Sequence, residues 1–177
     1  MLGAALLIVG CGSSEPRSAA PSSSSTKRAL ARAPAPLSSL HRQANELLGG
    51  GAKAFRRRLR ALRGHPVVVN KWASWCPPCR EEFPFFQRLS VEHGRRIAFL
   101  GVDSQDNDAD ARAFLRRFPV SYPSYKDPDL RVSAVFNAVA AFPTTAFYDS
   151  RGRLSYVHQG GYATKRKLDE DIARYTR

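Results

Sequence analysis

The sequence predicts an α/β domain with a central mixed β-sheet and helices on both faces. Three observations predict it. Two runs rich in β-branched residues, 66–72 (PVVVNKW) and 97–102 (IAFLGV), are continuously apolar apart from Asn70 and Lys71, the pattern of strands covered on both faces. Segments with helical spacing lie between and after them, giving the order β, α, β, α. Two more strand-like runs, 144–148 and 154–158, flank Ser150-Arg151-Gly152-Arg153 as a hairpin, and a closing helix follows.

At the front, residues 1–10 (MLGAALLIVG) are apolar and uncharged. They are too few to span a bilayer, which takes about twenty residues, and they read as the end of a secretory signal peptide. No Lys or Arg precedes the run, so the leader is expected to start further upstream. Ile8-Val9-Gly10-Cys11 has the form of a bacterial lipobox, which implies lipidation at Cys11 and a membrane anchor. Residues 12–39 are rich in Ser, Ala and Pro without apolar periodicity, and are expected to be a disordered linker. The domain is then expected over 40–177.

Within it, residues 40–48 suit a short helix stopped by Gly49-Gly50-Gly51. Phe55, Leu59 and Leu62 recur at helical spacing among arginines, which are expected to form a solvated face. After the strand 66–72, a helix opens at Cys76 and runs to about His93-Gly94. With the strand 97–102 it completes a right-handed βαβ unit. Helices are expected over 109–118 and, shorter, over 130–136. The last runs from Thr164, a suitable N-cap, to Tyr175. There are no internal repeats.

The chain has 177 residues, 43% hydrophobic, enough for one packed core and a tail. Its net charge of +13 speaks to association rather than fold. The arginines are scattered and no nucleic-acid-binding motif accompanies them, so nucleic acid is not an expected partner.

Cys76-Pro77-Pro78-Cys79 carries the chemistry. Residues three apart in a first helical turn face each other closely enough for a disulfide. The free N–H groups and positive dipole end of a helix N-terminus favour a thiolate at Cys76, leaving Cys79 as the resolving thiol. Pro77 suits the first helical position. A zinc knuckle needs more ligands than the chain offers, and Arg80 stands where haem attachment needs His. No metal or cofactor is expected. A purely structural disulfide remains an alternative.

Trp72-Ala73-Ser74-Trp75-Cys76-Pro77-Pro78-Cys79-Arg80-Glu81-Glu82-Phe83-Pro84 closely resembles the TlpA/ResA-like thiol–disulfide oxidoreductases of bacterial envelopes. Leu100-Gly101-Val102-Asp103 and Phe142-Pro143-Thr144-Thr145 match the same family, over roughly residues 53–177. The resemblance implies a thioredoxin fold and a reductase of protein disulfides. Its implied substrates include the oxidised Cys-x-x-Cys-His of apocytochromes c, its electron donor is a membrane thiol carrier, and it works lipid-anchored on the extracytoplasmic side.

By the same resemblance, Pro143 is the cis-proline facing the cysteines, and Trp75 covers Cys76 unless it is core filler. Pro84 is the kink in the active-site helix. Glu82 tunes the cysteine pair unless it is an exposed helix acid. Asn70 stands where ordinary thioredoxins carry a buried aspartate. Ala141-Phe142 replaces the family's small-residue and Val pair, so the Phe142 ring is expected to narrow the substrate groove. Lys71 replaces an apolar residue and is expected to snorkel to solvent; its alternative is to lie near the site and lower a thiol pKa. A disulfide oxidase uses the same two cysteines. A peroxiredoxin-like peroxidase would need Pro and Thr where Val69 and Ala73 stand. A non-catalytic binding module is the remaining rival.

Overall fold

The computed structural model describes residues 21–177. The apolar run and Cys11 lie outside these residues. A six-stranded mixed sheet forms the centre, in the order β1-β4-β3-β2-β5-β6. The strands are β1 (Leu47–Leu48), β2 (Val67–Trp72), β3 (Ala98–Ser104), β4 (Ser124–Asp127), β5 (Thr144–Tyr148) and β6 (Leu154–Gln159). The first four are parallel; β5 runs antiparallel to β2, and β6 to β5. The helices are α1 (Ser23–Leu30), α2 (Leu37–Arg42), α3 (Gly51–Ala61), α4 (Pro77–His93), α5 (Asp108–Arg117) and α6 (Lys165–Tyr175).

Strand alternation sends β2 into two cores. Val68 and Trp72 join Phe83 and Phe86 of α4, Phe114 of α5, and Leu168 and Ile172 of α6. Val67 and Val69 join Leu37 and Leu40 of α2, Phe55 of α3 and Phe136. Both faces of the sheet are therefore covered, as the continuous apolar runs require. Thr164 caps α6 by accepting the Lys167 N–H. No helix among the described residues is long and apolar enough to cross a membrane.

Three expectations are corrected. Residues 23–39 are not all linker: Ser22 caps α1, and Leu30, Ala33 and Leu37 are buried. Three apolar side chains sufficed to dock this stretch, although they are divided between two short helices and the turn that joins them. The helix expected over 40–48 ends at Arg42, because Asn45 turns the chain with φ +62° and its side chain accepts the Val120 N–H at 2.6 Å. Leu47–Leu48 then pairs with β4, a strand (SYKD) too short and polar to be read beforehand. The helix expected over 130–136 is a 3₁₀ turn, Ser133–Phe136, whose start is tied to the Asp127 carboxylate by the N–H groups of Val132 and Ser133.

Candidate active site

Parallel strands β2 and β3 end side by side, so the loops after them meet at one edge of the sheet. Ser74, after β2, is clamped by Asp106, after β3. The Ser74 N–H and hydroxyl donate to its two carboxylate oxygens at 2.5 and 2.9 Å. Trp75 donates its indole N–H to the Gln105 carbonyl at 2.9 Å, and Arg80 donates back to the Ser74 carbonyl at 2.9 Å. The loop that delivers the cysteines is thus braced from both sides.

Cys76 is the N-cap of α4, with Pro77 and Pro78 opening the helix. The two cysteines form a disulfide, and the Cys79 N–H points at the Cys76 sulfur at 3.2 Å. That is the local geometry by which a helix N-terminus stabilises a thiolate once the bond is reduced. In this disulfide form Cys76 keeps 1% of its surface. The Phe142–Pro143 peptide bond is cis. A Cβ on Gly161 would lie 3.5 Å from Pro78 and 3.7 Å from Pro143, in van der Waals contact with both, so Gly161 sits between the Cys-Pro-Pro-Cys turn and the proline loop. Trp75 is half exposed and packs on Phe142, ring centroids 4.9 Å apart; it is not core filler.

Glu82 is fully buried, not an exposed helix acid. One oxygen accepts the Tyr162 N–H at 3.0 Å, and the other has no protein partner. Burial pushes its pKa up to about 8, and the Tyr162 hydrogen bond offsets only part of that. Asn70 is buried in β2 with both amide atoms unpartnered. The Tyr122 hydroxyl is held far above its usual range by burial and then by the Glu82 charge. Asp103, opposite Trp72 in the ladder, is raised to about 8 by burial first and by Asp106 second.

Lys71 corrects the snorkelling expectation. It is fully buried, and its ammonium donates to the carbonyls of Ala138 at 2.7 Å, Ala141 at 3.1 Å and Val139 at 3.4 Å. Those acceptors replace water. The ammonium also sits 3.8 Å from the centroid of the Phe142 ring. Burial lowers its pKa, and Asp127 opposes that.

The sequence reading missed Asp106, Gln105 and the Gly161-Tyr162 pair. The first two follow the Leu100–Asp103 motif closely, and parallel pairing of β2 with β3 would have placed them. Nothing in the local pattern marks Gly161. Away from this edge, Glu92, His93 and Asp169 stand close together. There the His93 ring already bonds Asp169 at 2.7 Å and Lys165 bonds Glu92 at 2.8 Å, so ion pairing accounts for the group.

A family model described as Redoxin matches residues 52–173. Among curated proteins, the thioredoxin-like protein YneN of Bacillus subtilis is 31% identical over 117 residues, covering 64% of this chain and 67% of that protein. A thiol-disulfide oxidoreductase ResA, from Halalkalibacterium halodurans, is 29% identical over 113 residues, 63% of each chain. The chain thus spans about two thirds of the length of these relatives. Among solved structures, DsbF of MTB, in mixed oxidised and reduced forms, superposes with a TM-score of 0.60 at 30% identity, covering 66% of this chain and 85% of that one.

Proposed function

The chain belongs to the Redoxin family and has the thioredoxin fold, and on that premise we propose that it is an extracytoplasmic thiol–disulfide oxidoreductase working as a reductase of protein disulfides. The observation that carries the reading is the Cys76–Cys79 pair at the N-terminus of α4, with the Cys79 N–H on the Cys76 sulfur and a buried carboxyl one turn further on.

In the reduced protein the Cys76 thiolate attacks one sulfur of a partner disulfide. A mixed disulfide forms and the other partner sulfur leaves as a thiolate. Cys79 loses its proton and attacks the Cys76 sulfur, which frees the second partner thiol and leaves the intramolecular disulfide. Two electrons pass to the partner, and a membrane thiol carrier returns them by the reverse exchange. In its ionised form Glu82 can take the Cys79 proton, whereas Asn70 has no acid–base capacity. Phe142, Pro143 and Trp75 hold the substrate segment.

The finer parts of the proposal rest on the resemblance and on the leader. Lipidation at Cys11 tethers the domain to the envelope membrane, and oxidised apocytochrome c is a substrate. Catalysis is tested by turnover of insulin disulfides with dithiothreitol as reductant, which a merely structural disulfide does not support. Direction is tested by alkylation trapping in cells: a mostly reduced pair supports the reductase, and a mostly oxidised pair supports an oxidase.

A further inference from the structure

The exchange chemistry does not use Lys71, yet Lys71 is an ammonium fully buried in the central sheet. It follows Val67 and Val69 along the same face of β2, where a third apolar side chain would complete the core. Burying an ammonium costs several kcal/mol unless its N–H groups are bonded. Here its three donors find three carbonyls, all in the segment between the 3₁₀ turn and the cis-proline.

That segment has little else to hold it. Residues 139–142 lie in no helix or strand and make no backbone–backbone hydrogen bond. Apart from Lys71, the Thr144 hydroxyl alone donates to it, at the Ala141 carbonyl. The same ammonium lies over the Phe142 ring, and Phe142 packs on Trp75. Trp75 and Val139 are two of the three large apolar side chains exposed among the described residues, 51% and 48%. The Trp75–Phe142 pair is an apolar surface, half exposed at Trp75, next to the Cys76 position, the kind of surface that binds a partner.

We propose that Lys71 is a positioning residue for substrate. Its ammonium fixes residues 138–141 and turns Phe142 onto Trp75, so that Trp75, Phe142 and Val139 form an apolar wall for the side chain flanking a substrate cysteine. The substrate class is an extended protein segment with an apolar or aromatic residue next to its disulfide. The inference rests on the exchange activity proposed above, and two separate readouts keep them apart.

Lys71→Met keeps the side chain's length and removes its donors. In ¹⁵N relaxation, the order parameters of residues 139–142 should fall below about 0.6, with those of β2 and β3 unchanged, as expected of a segment that has lost its anchor. In turnover, KM for insulin should rise about tenfold with kcat within about twofold, because binding is lost rather than chemistry. Turnover of 2-hydroxyethyl disulfide, too small to reach the wall, should stay within about twofold. Unchanged order parameters at 139–142 overturn the proposal, as does an equal loss on both substrates. If the unmodified protein reduces neither disulfide, the exchange reading fails while the amide measurement still decides Lys71. Should Lys71→Met not fold, Lys71→Arg, which keeps the charge but not the three-way geometry, takes the same measurements with the same outcomes.

Discussion

Glu82 of α4 accepts the Tyr162 N–H at 3.0 Å, joining the active-site helix to the turn that follows β6. The bond fixes one carboxylate oxygen and leaves the other unpartnered in the core, one helical turn beyond Cys79. With a pKa near 8, the group is mostly protonated at neutral pH and loses its proton in the range where thiols ionise.

Coupling between Glu82 and the cysteines follows. An ionised carboxylate close to a forming thiolate raises the apparent pKa of both, and the values belong to the group as a whole. Glu82→Gln removes that charge. The alkylation rate of reduced Cys76 by iodoacetamide should then rise at lower pH, its midpoint moving down by about one unit. An unmoved profile means that Glu82 does not sense the pair.

Stability should depend on pH with a definite sign. Glu82 is raised from 4.5 to about 8 in the folded chain, and Asp103 from 3.8 to about 8. Between those limits the folded state holds protons that the unfolded state has released, so stability falls as pH rises towards 8 and levels off above it. Each group contributes a slope of at most about 1.4 kcal/mol per pH unit. Urea unfolding at pH 5, 6, 7 and 8 should show this decline, and Glu82→Gln should flatten about half of it. A stability that rises over the range contradicts the burial argument.

Gly101 should tolerate no side chain. A Cβ there would lie 2.0 Å from the Ser124 hydroxyl oxygen and 3.0 Å from the Trp72 indole nitrogen. Those two atoms are hydrogen-bonded at 3.1 Å, tying β2 to β4 across β3. Gly101→Ala should destabilise the fold by about 2–3 kcal/mol, through overpacking and the broken bond. Chemical denaturation measures it, and a loss below about 0.5 kcal/mol means the strands simply shift apart.

The parts legible in sequence were those with strong local signals. The continuous runs at 66–72 and 97–102, the Thr164 cap and the Cys-Pro-Pro-Cys turn each state their structure within a few residues. What was missed depends on distant partners. β4 is a strand only because β3 and β1 flank it, and α1 and α2 hold because Leu30, Leu37 and Leu40 find a surface to bury against. Lys71 was misread for the same reason: its side chain alone suggests solvent, and its three acceptors lie about seventy positions further along. In the site, Tyr162 was invisible because it acts through a backbone N–H that the sequence does not label.

The central claim is the division of labour between the two cysteines. Cys76 caps α4 and faces the Cys79 N–H, so it should attack; Cys79, one turn in, should resolve in an intramolecular step of high effective concentration. The most direct test is recovery of Cys79→Ser and Cys76→Ser proteins from their own cells, followed by non-reducing electrophoresis. Covalent, dithiothreitol-sensitive partners are expected on Cys79→Ser and few on Cys76→Ser. Equal trapping by the two variants, or trapping by Cys76→Ser alone, contradicts the claim.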